Sequence, residues 1–224
     1  MFPVSEAAIH LGPTQIIDTF AEAFRLRFAR LFVTAHDASW VEAGVQSFCG
    51  YGTSVIGCDA EVGLERFIAP DESPDGRPGA SLLAFGFSVE SLAEAVSQRT
   101  GQCLLTCPTT AVFDGLSEAE ERIPLGQRIR FFGDGFEKTK VFDERRYWRV
   151  PVMDGEFVVE ETCGVAKGVG GGNVIIQGNS LDIVLASAKR AVDAIAAVRG
   201  VMTPFPGGVA VSYTHLTLPT KRIV

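Results

Sequence analysis

Arg27-Phe-Ala-Arg-Leu-Phe-Val-Thr-Ala35, running directly into His36-Asp37 and then the stripe Trp40, Val41, Val45 and Phe48, decides the fold. The first nine residues are apolar and β-branched enough to read as a buried strand. Asp37 stands where a helix N-cap belongs, the stripe has helical spacing, and Gly50 supplies a stop. A second short strand is expected at Thr53 to Cys58.

The same order of signals then returns. Ala80 to Phe87 is an apolar strand, Ser88 caps a helix carrying Val89, Leu92 and Val96 on one face, Gly101 ends it, and Cys103 to Cys107 is expected as a strand closed by Pro108. Strand, helix, strand, strand, helix, strand is the order of a ferredoxin-like sandwich, in which two βαβ units share one antiparallel sheet with both helices on one face. Between the halves, Ala69 to Gly79 holds three prolines and two glycines, so it is a shaped loop. Downstream the sequence predicts a short helix from Leu116 to Arg122 with Ser117 and Glu120 in capping-box spacing, a turn at Arg130 to Phe136, and strands at Tyr147 to Val152 and Glu156 to Val159.

A third unit starts with a strand at Asn173 to Gln177. Asn179 or Ser180 caps a helix with Leu181, Val184, Leu185, Ala188, Val192 and Ile195 on one side, and Val201 to Phe205 is the expected return strand after Gly200. The fold class is thus α+β, two ferredoxin-like α/β sandwich lobes with the second incomplete in this chain. The expected division is 1–14 a variable N-terminal segment, 15–149 an N-terminal (distal) lobe with a β-rich connection, 150–210 the first part of a C-terminal (proximal) lobe, and 211–224 a non-native tail excluded from fold reasoning together with His215. Half a sandwich leaves an apolar helix face without a sheet to cover it.

Composition narrows the partners. The 224 residues hold 20 Lys and Arg against 27 Asp and Glu, a net charge of −7, which disfavours nucleic acid and anionic membrane surfaces. No apolar run reaches the length of a bilayer span, and Met1 to Pro13 lacks the features of a signal peptide. The expected setting is cytoplasmic. Five cysteines at irregular spacing, Cys49, Cys58, Cys103, Cys107 and Cys163, read as small buried hydrophobes. With three histidines and no CxxC pair, no metal site is expected.

Nine blocks in order then point to a family: Asp18 to Phe24, Thr34-Ala-His-Asp37, Tyr51 to Val55, Ser73 to Gly79, Gly101-Gln-Cys103, Phe131 to Phe136, Pro151 to Phe157, Gly170 to Asn173 and Pro204 to Gly208. Together they resemble formylmethanofuran:tetrahydromethanopterin formyltransferase, and Thr34 to Asp37 with Tyr147 to Asp154 lean toward the bacterial form, the D subunit of a formyltransferase/hydrolase complex. The resemblance implies a cytoplasmic acyltransferase of one-carbon metabolism. It would move a formyl group between N5 of tetrahydromethanopterin and the amine of methanofuran, with both coenzymes as cosubstrates and none bound permanently. It implies two ferredoxin-like lobes and a homo-oligomer, commonly a tetramer, or a subunit of the larger complex. Such chemistry needs oxyanion donors, a proton shuttle of raised pKa and tight positioning. The glutamate given that role in the family lies in the far half of the second lobe, so no catalytic residue is carried over. Little turnover is expected of this exact chain, and a non-catalytic methanofuran-binding scaffold subunit or an inactive fragment are the alternatives.

The candidate substrate-binding residues are Asp75, Arg77, Gln102, Thr106, Gly171, Gly172 and Asn173. Asp75-Gly-Arg77 sits in the proline-pinned loop, where the arginine fork suits the acidic arms of the coenzymes, although a self-capping turn fits as well. Gln102 and Thr106 offer donors at a strand end, and Gly168 to Asn173 offers backbone N–H groups. His36 beside Asp37 is read as an edge histidine next to a helix cap, Glu156, Glu160 and Glu161 as exposed solubilising charge, and Phe131, Phe132 and Phe136 as a turn with aromatic packing across subunits, where a furan or pterin ring could also stack.

Overall fold

The computed structural model describes residues 8–17 and 23–210. Residues 18–22 of the block ending at Phe24, the first seven residues of the N-terminal segment, and the tail 211–224 lie outside the described residues. A hairpin of β1 (Ala8–Leu11) and β2 (Thr14–Ile17) turns at Gly12, whose φ is +60°. The chain continues through β3 (Ala23–Thr34), α1 (Ala38–Cys49), β4 (Glu61–Ile68), β5 (Gly79–Gly86), α2 (Val89–Arg99) and β6 (Ala111–Asp114). It then runs through β7 (Glu121–Pro124), α3 (Gly126–Ile129), β8 (Lys138–Phe142), β9 (Arg145–Pro151), β10 (Glu156–Glu160), β11 (Thr162–Gly171) and α4 (Leu181–Ala196).

β4, β5, β3 and β6 lie side by side in that order, each antiparallel to its neighbour, with α1 and α2 on the β3–α1–β4 and β5–α2–β6 crossovers. This is the ferredoxin-like sandwich of the sequence reading. Beyond β6 the sheet is widened by β10, which runs parallel to β6, then β9 and β8. The twelve-residue β3 overhangs the sandwich. One of its edges pairs with β5, while the other is divided between β6 at Leu31 to Thr34 and β11 at Ala23 to Phe28. β11 also pairs with β7.

The two faces of this sheet explain β5, which is buried at all eight positions. Ala80, Leu82 and Ala84 point with Ala29, Leu31 and Val33 toward Val41, Val45 and Phe48 of α1 and Leu92 and Val96 of α2. Leu83 and Phe85 face the other way with Leu26, where Phe28 stacks on Phe85 at 5.4 Å and Met202 of the C-terminal segment closes over them. A strand covered on both faces reads as a continuous apolar run instead of an alternating one. Gly63 fits beneath Met202 because a Cβ there would lie 2.9 Å from its sulfur. On the same face Glu65, 7% exposed, accepts from both Nε and Nη2 of Arg30 at 2.8 and 2.9 Å, from the Ser81 hydroxyl, and from the Gly200 amide at 2.6 Å. The C-terminal segment is thereby fastened to the first sandwich by a charge as well as by a methionine.

The helix signals are found where the spacing put them. Asp37 caps α1 by accepting from the Ser39 and Trp40 amides, and Ser88 and Ser180 cap α2 and α4. Trp40, however, lies outside the α1 stripe and is 40% exposed, its place on the buried face taken by Gly44. Four short segments form something other than expected. Thr53 to Cys58 is a turn, because Ser54 captures the amides of Gly57 and Cys58 on its carbonyl and that of Ile56 on its hydroxyl, and the strand starts only at Glu61. Gly101 does not end α2. The helix loosens into a π turn over Thr100–Leu104, closed by the Leu105 amide on the Thr100 carbonyl, and the strand is displaced to Ala111. Leu116 to Arg122 is no helix, since Asp114 draws in the Leu116 amide and residues from Glu121 join the ladder with β11. Neither Asn173 to Gln177 nor Val201 to Phe205 forms a strand, although α4 between them is helical throughout. A strand is held by ladder partners, which these two lack among the described residues. Accordingly Leu181, Ile183 and Leu185 of α4 are more than half exposed, and Ala188 is its one buried residue.

Candidate functional site

Asp75 and Arg77 are drawn together with Thr34, the last residue of β3. Thr34 Oγ1 donates to Asp75 Oδ2 at 2.8 Å, and Arg77 donates from Nε to the same oxygen at 2.8 Å and from Nη2 to Thr34 Oγ1 at 2.9 Å. Its Nη1 reaches the Thr109 carbonyl at 2.5 Å, and the Thr109 hydroxyl in turn accepts from the His36 amide at 3.0 Å. Thr109 has φ +65°, a left-handed conformation that is costly for a β-branched residue and persists where surroundings enforce it. The loop at residues 73–79, the end of β3 and the turn before β6 are thus tied into one polar corner. Arg77 directs Nε, Nη1 and Nη2 inward, and Nη2 also lies 2.7 Å from Asp75 Oδ2. His36 is exposed beside this corner.

Gln102 and Thr106 lie on the π turn and just beyond it, not on a strand. The Thr106 hydroxyl is taken by the Gln102 carbonyl at 2.7 Å, while the Gln102 side chain lines a cleft of about 730 Å³. The walls of that cleft are α2 at Glu90, Glu94 and Ser97, with Arg122, Arg128 and Phe132 opposite. Gly101 allows the approach, since a Cβ there would sit 3.0 Å from the Phe132 ring. The Phe131 to Phe136 turn is closed by Asp134 and Gly135, both at positive φ.

Gly171 and Gly172, with φ of +101° and +88°, let the chain leave β11, and Asn173 follows in exposed, irregular backbone. Gly171 pairs with Ala23 at the start of β3, whereas Asp75 and Arg77 hold Thr34 at its end. At about 3.3 Å per residue the two are separated by roughly 35 Å along the strand. The structure therefore brings Asp75 and Arg77 together and leaves Gly171, Gly172 and Asn173 at the far end of the same strand.

Sequence reasoning assigned Glu160 to exposed charge, yet it is 3% exposed. Its Oε2 accepts from the Asp114 amide at 2.9 Å, and Arg145 stands 3.8 Å away. Burial, with the Asp114 carboxylate nearby, raises its pKa above the usual glutamate range despite that amide and the arginines. Asp114 is itself fully enclosed, held by Arg122 Nη2 at 2.7 Å and by the Leu116 and Gly164 amides. Glu160 lines a second cleft, of about 530 Å³, and Arg122 borders both clefts. The sequence carries no local signal for this: with Phe157 and Val159 buried, strand alternation turns Glu160 to the other face, where the Asp114 turn and β11 cover it.

The thiols divide by environment. Cys163 is buried, and desolvation drives its pKa far up; Cys49 is raised to about 11 by burial. At Cys58 burial is the largest single influence and acts upward, but hydrogen bonds from Ser54 and Thr53 backbone and from the Thr53 hydroxyl together outweigh it and lower the pKa. Alkylation with iodoacetamide at neutral pH should therefore modify Cys58 first and Cys163 only on unfolding, as peptide mass spectrometry over time would read.

A ferredoxin-like sandwich widened by added strands, with a further helix-bearing segment fastened to its back, defines a class of two-part α+β proteins. The chain belongs to the formylmethanofuran-tetrahydromethanopterin formyltransferase family: that family's model matches residues 9–152, and the model of its proximal lobe matches residues 155–217. It is 50% identical over 212 residues to the formyltransferase of that name from Methylobacillus flagellatus, covering 93% of this chain and 70% of the relative. To the Methanosarcina mazei protein it is 45% identical over 204 residues, covering 91% and 69%. Among solved structures, the Methylorubrum extorquens formyltransferase/hydrolase complex with methylofuran superposes with a TM-score of 0.86 at 44% identity over 90% of this chain and 67% of the other. The Methanosarcina barkeri formyltransferase gives 0.81 at 45% identity over 85% of this chain and 64% of the other. The chain thus spans about two thirds to seven tenths of the length of these relatives.

Proposed function

We propose that this chain belongs to a formyltransferase that moves a formyl group between N5 of tetrahydromethanopterin and the primary amine of methanofuran. The observation that carries the reading is 50% identity across 93% of the chain to a formyltransferase of that specificity. In the reaction an amine attacks the formyl carbonyl, an oxyanion forms, and a proton passes from the attacking to the leaving nitrogen. The corner of Thr34, Asp75, Arg77 and Thr109 is tied together by hydrogen bonds and presents the outer edge of the Arg77 guanidinium to an acidic coenzyme arm. The cleft at Gln102 gives a wall against which a ring packs beside Phe132. Gly171, Gly172 and Asn173 lie too far from that corner along β3 to touch the same part of one coenzyme, so we assign them to a separate contact.

We assign residues 15–149 to a distal lobe and residues from 150 to a proximal one. The assembly is proposed as a homo-oligomer, a tetramer, or a subunit of a formyltransferase/hydrolase complex in the cytoplasm. The test is formyl transfer from formylmethanofuran to tetrahydromethanopterin by the purified full-length protein, with 5-formyl product measured by chromatography. Product above the uncatalysed rate is expected, and its absence overturns the reading. Arg77→Ala should raise the KM of one coenzyme by about tenfold or more, since hydrogen bonds to a charged group contribute about 1.5–3 kcal/mol, while leaving kcat within a few-fold. The bacterial-type blocks Thr34 to Asp37 and Tyr147 to Asp154 favour a second reading, a scaffold subunit that binds methanofuran without turnover. Calorimetric binding of methanofuran by a protein that shows no transfer would select it.

A further inference from the structure

Extending the β8–β9 register by two residues sets Phe136 beside Pro151, since Lys138 pairs with Arg149. The packing agrees, because a Cβ on Gly133 would lie 3.3 Å from Pro151 Cδ. The turn at Phe131 to Phe136 and the tip of the β9–β10 hairpin, Val152 to Gly155, therefore stand side by side. Backbone groups fix both of them. The Phe136 amide donates to the Gly133 carbonyl at 2.8 Å and the Gly135 amide to Glu137 Oε2 at 2.9 Å. At the tip the Val152 amide donates to the Gly155 carbonyl at 3.2 Å, with Gly155 at φ +90°. On these turns Phe136 is 76% exposed, Met153 wholly so, and Phe131 and Val152 are exposed beside them. At about 200 Å² for a large side chain, the four present roughly 500 Å² of apolar surface, toward the upper end of what a monomer leaves in one patch. Neither cleft described above is lined by any of the four, so the surface suits a protein and not a ring.

The rim carries charge of both signs. Lys138, Asp134 and Asp154 are exposed and have no ion-pair partner among the described residues, the neighbouring pairs being Arg130 with Glu137 and Arg149 with Glu156. A two-fold contact between identical surfaces uses both signs at once, because the cation of each copy meets the anion of the other. Roughly 500 Å² of apolar side chain inside such a rim is most of the ~800 Å² per partner that a stable interface covers. We propose that this corner of the sheet is a two-fold interface with a second copy of this chain. Met153 packs its thioether on the partner's Phe136, and Lys138 faces the partner's Asp154. Turns already fixed in shape lose little freedom on docking, which favours association. The proposal rests on the homo-oligomer put forward above and names the surface that builds it.

The test is sedimentation velocity of this chain over a range of concentrations, with far-UV circular dichroism to show that each variant is folded. The wild type should sediment as a dimer or a larger assembly. Met153→Asp and Phe136→Ser should each weaken association by about tenfold or more, the loss expected of a central apolar contact. Both side chains are exposed in the single chain, so neither change disturbs its core. Lys138→Glu and Asp154→Lys should each weaken association several-fold, and the two combined in one chain should restore it, since each copy then offers the reversed pair to the other. A double variant as weak as the single ones overturns the two-fold pairing. An assembly indifferent to Met153→Asp and Phe136→Ser overturns this surface alone and leaves the homo-oligomer standing. A wild type that stays monomeric at its highest soluble concentration overturns both, whereas formyl transfer measured alongside decides the transferase reading independently of either.

Discussion

Replacing Arg30 with Met should cost about 3 kcal/mol of unfolding free energy near neutral pH, the lower end of the range for breaking a buried ion pair. The reason is what stays behind. Glu65, with a side chain 5% exposed, would keep the Ser81 hydroxyl and the Gly200 amide but lose the two guanidinium hydrogen bonds that balance its charge. In the intact protein burial acts to raise the Glu65 pKa, yet Arg30, Ser81 and Gly200 together outweigh it and hold it below the ordinary value of 4.5. The folded state then binds its proton later than the unfolded state does, so the stabilisation is present above about pH 4.5 and fades as pH falls toward the folded value. Without Arg30 burial prevails, the folded pKa rises above 4.5, and the variant gains relative stability as pH falls. Thermal melts of the two proteins should therefore converge between about pH 7 and pH 4. A gap that stays constant across that range would mean that Arg30 acts through its packed methylenes and not through its charge.

Phe48→Ala is expected to be the most damaging single truncation, lowering stability by about 3–5 kcal/mol. Phe48 is 0% exposed at the last turn of α1, where it joins Val41 and Val45 against the sheet. Its own carbonyl accepts from Arg99 Nη1 at 2.5 Å, so the helix end is clamped from α2, and the void left by the ring has little freedom to collapse. At 2–4 °C per kcal/mol for a chain of this size, the melting temperature should drop by about 10 °C. Urea unfolding should show a lower midpoint at an unchanged slope. A loss below about 1 kcal/mol would mean that the core around α1 re-forms without the ring.

The long strands and helices of the first sandwich were legible because several signals agreed at each of them. At α2, Ser88, the Leu92 and Val96 stripe and the apolar run before them all point the same way, and the capping hydrogen bond is there. Thr53 to Cys58 and Cys103 to Cys107 were misread for one physical reason. Short runs of apolar and hydroxyl-bearing residues have no period of their own, and local hydroxyl and carbonyl groups settle them. Ser54 takes three amides in the first case, and the Thr106 and Thr110 hydroxyls tie down carbonyls in the second. The polar corner was half legible. Proline and glycine marked the Asp75 to Arg77 loop, but nothing local shows that it meets Thr109, because the contact spans the whole α2 unit. Glu160 was hidden by its residue type, since a glutamate at a strand end is ordinarily solvated. Its burial comes from β11 and the Asp114 turn, which only the tertiary fold brings together.

The divided edge of β3 sets the order in which the protein can be completed on the ribosome. Thr34 finds Gly79 and Ala111 soon after emerging, but Phe28 has its place on that edge filled only when Ala166 has been made. At roughly 5–20 residues per second, the first half of β3 waits on the order of ten seconds as an open strand bearing Phe24, Leu26 and Phe28. An unpaired apolar strand is a template for neighbouring nascent chains. Slowed elongation between residues 114 and 162 should therefore raise the aggregated fraction, and a trigger-type chaperone should lower it, without any change in the finished protein.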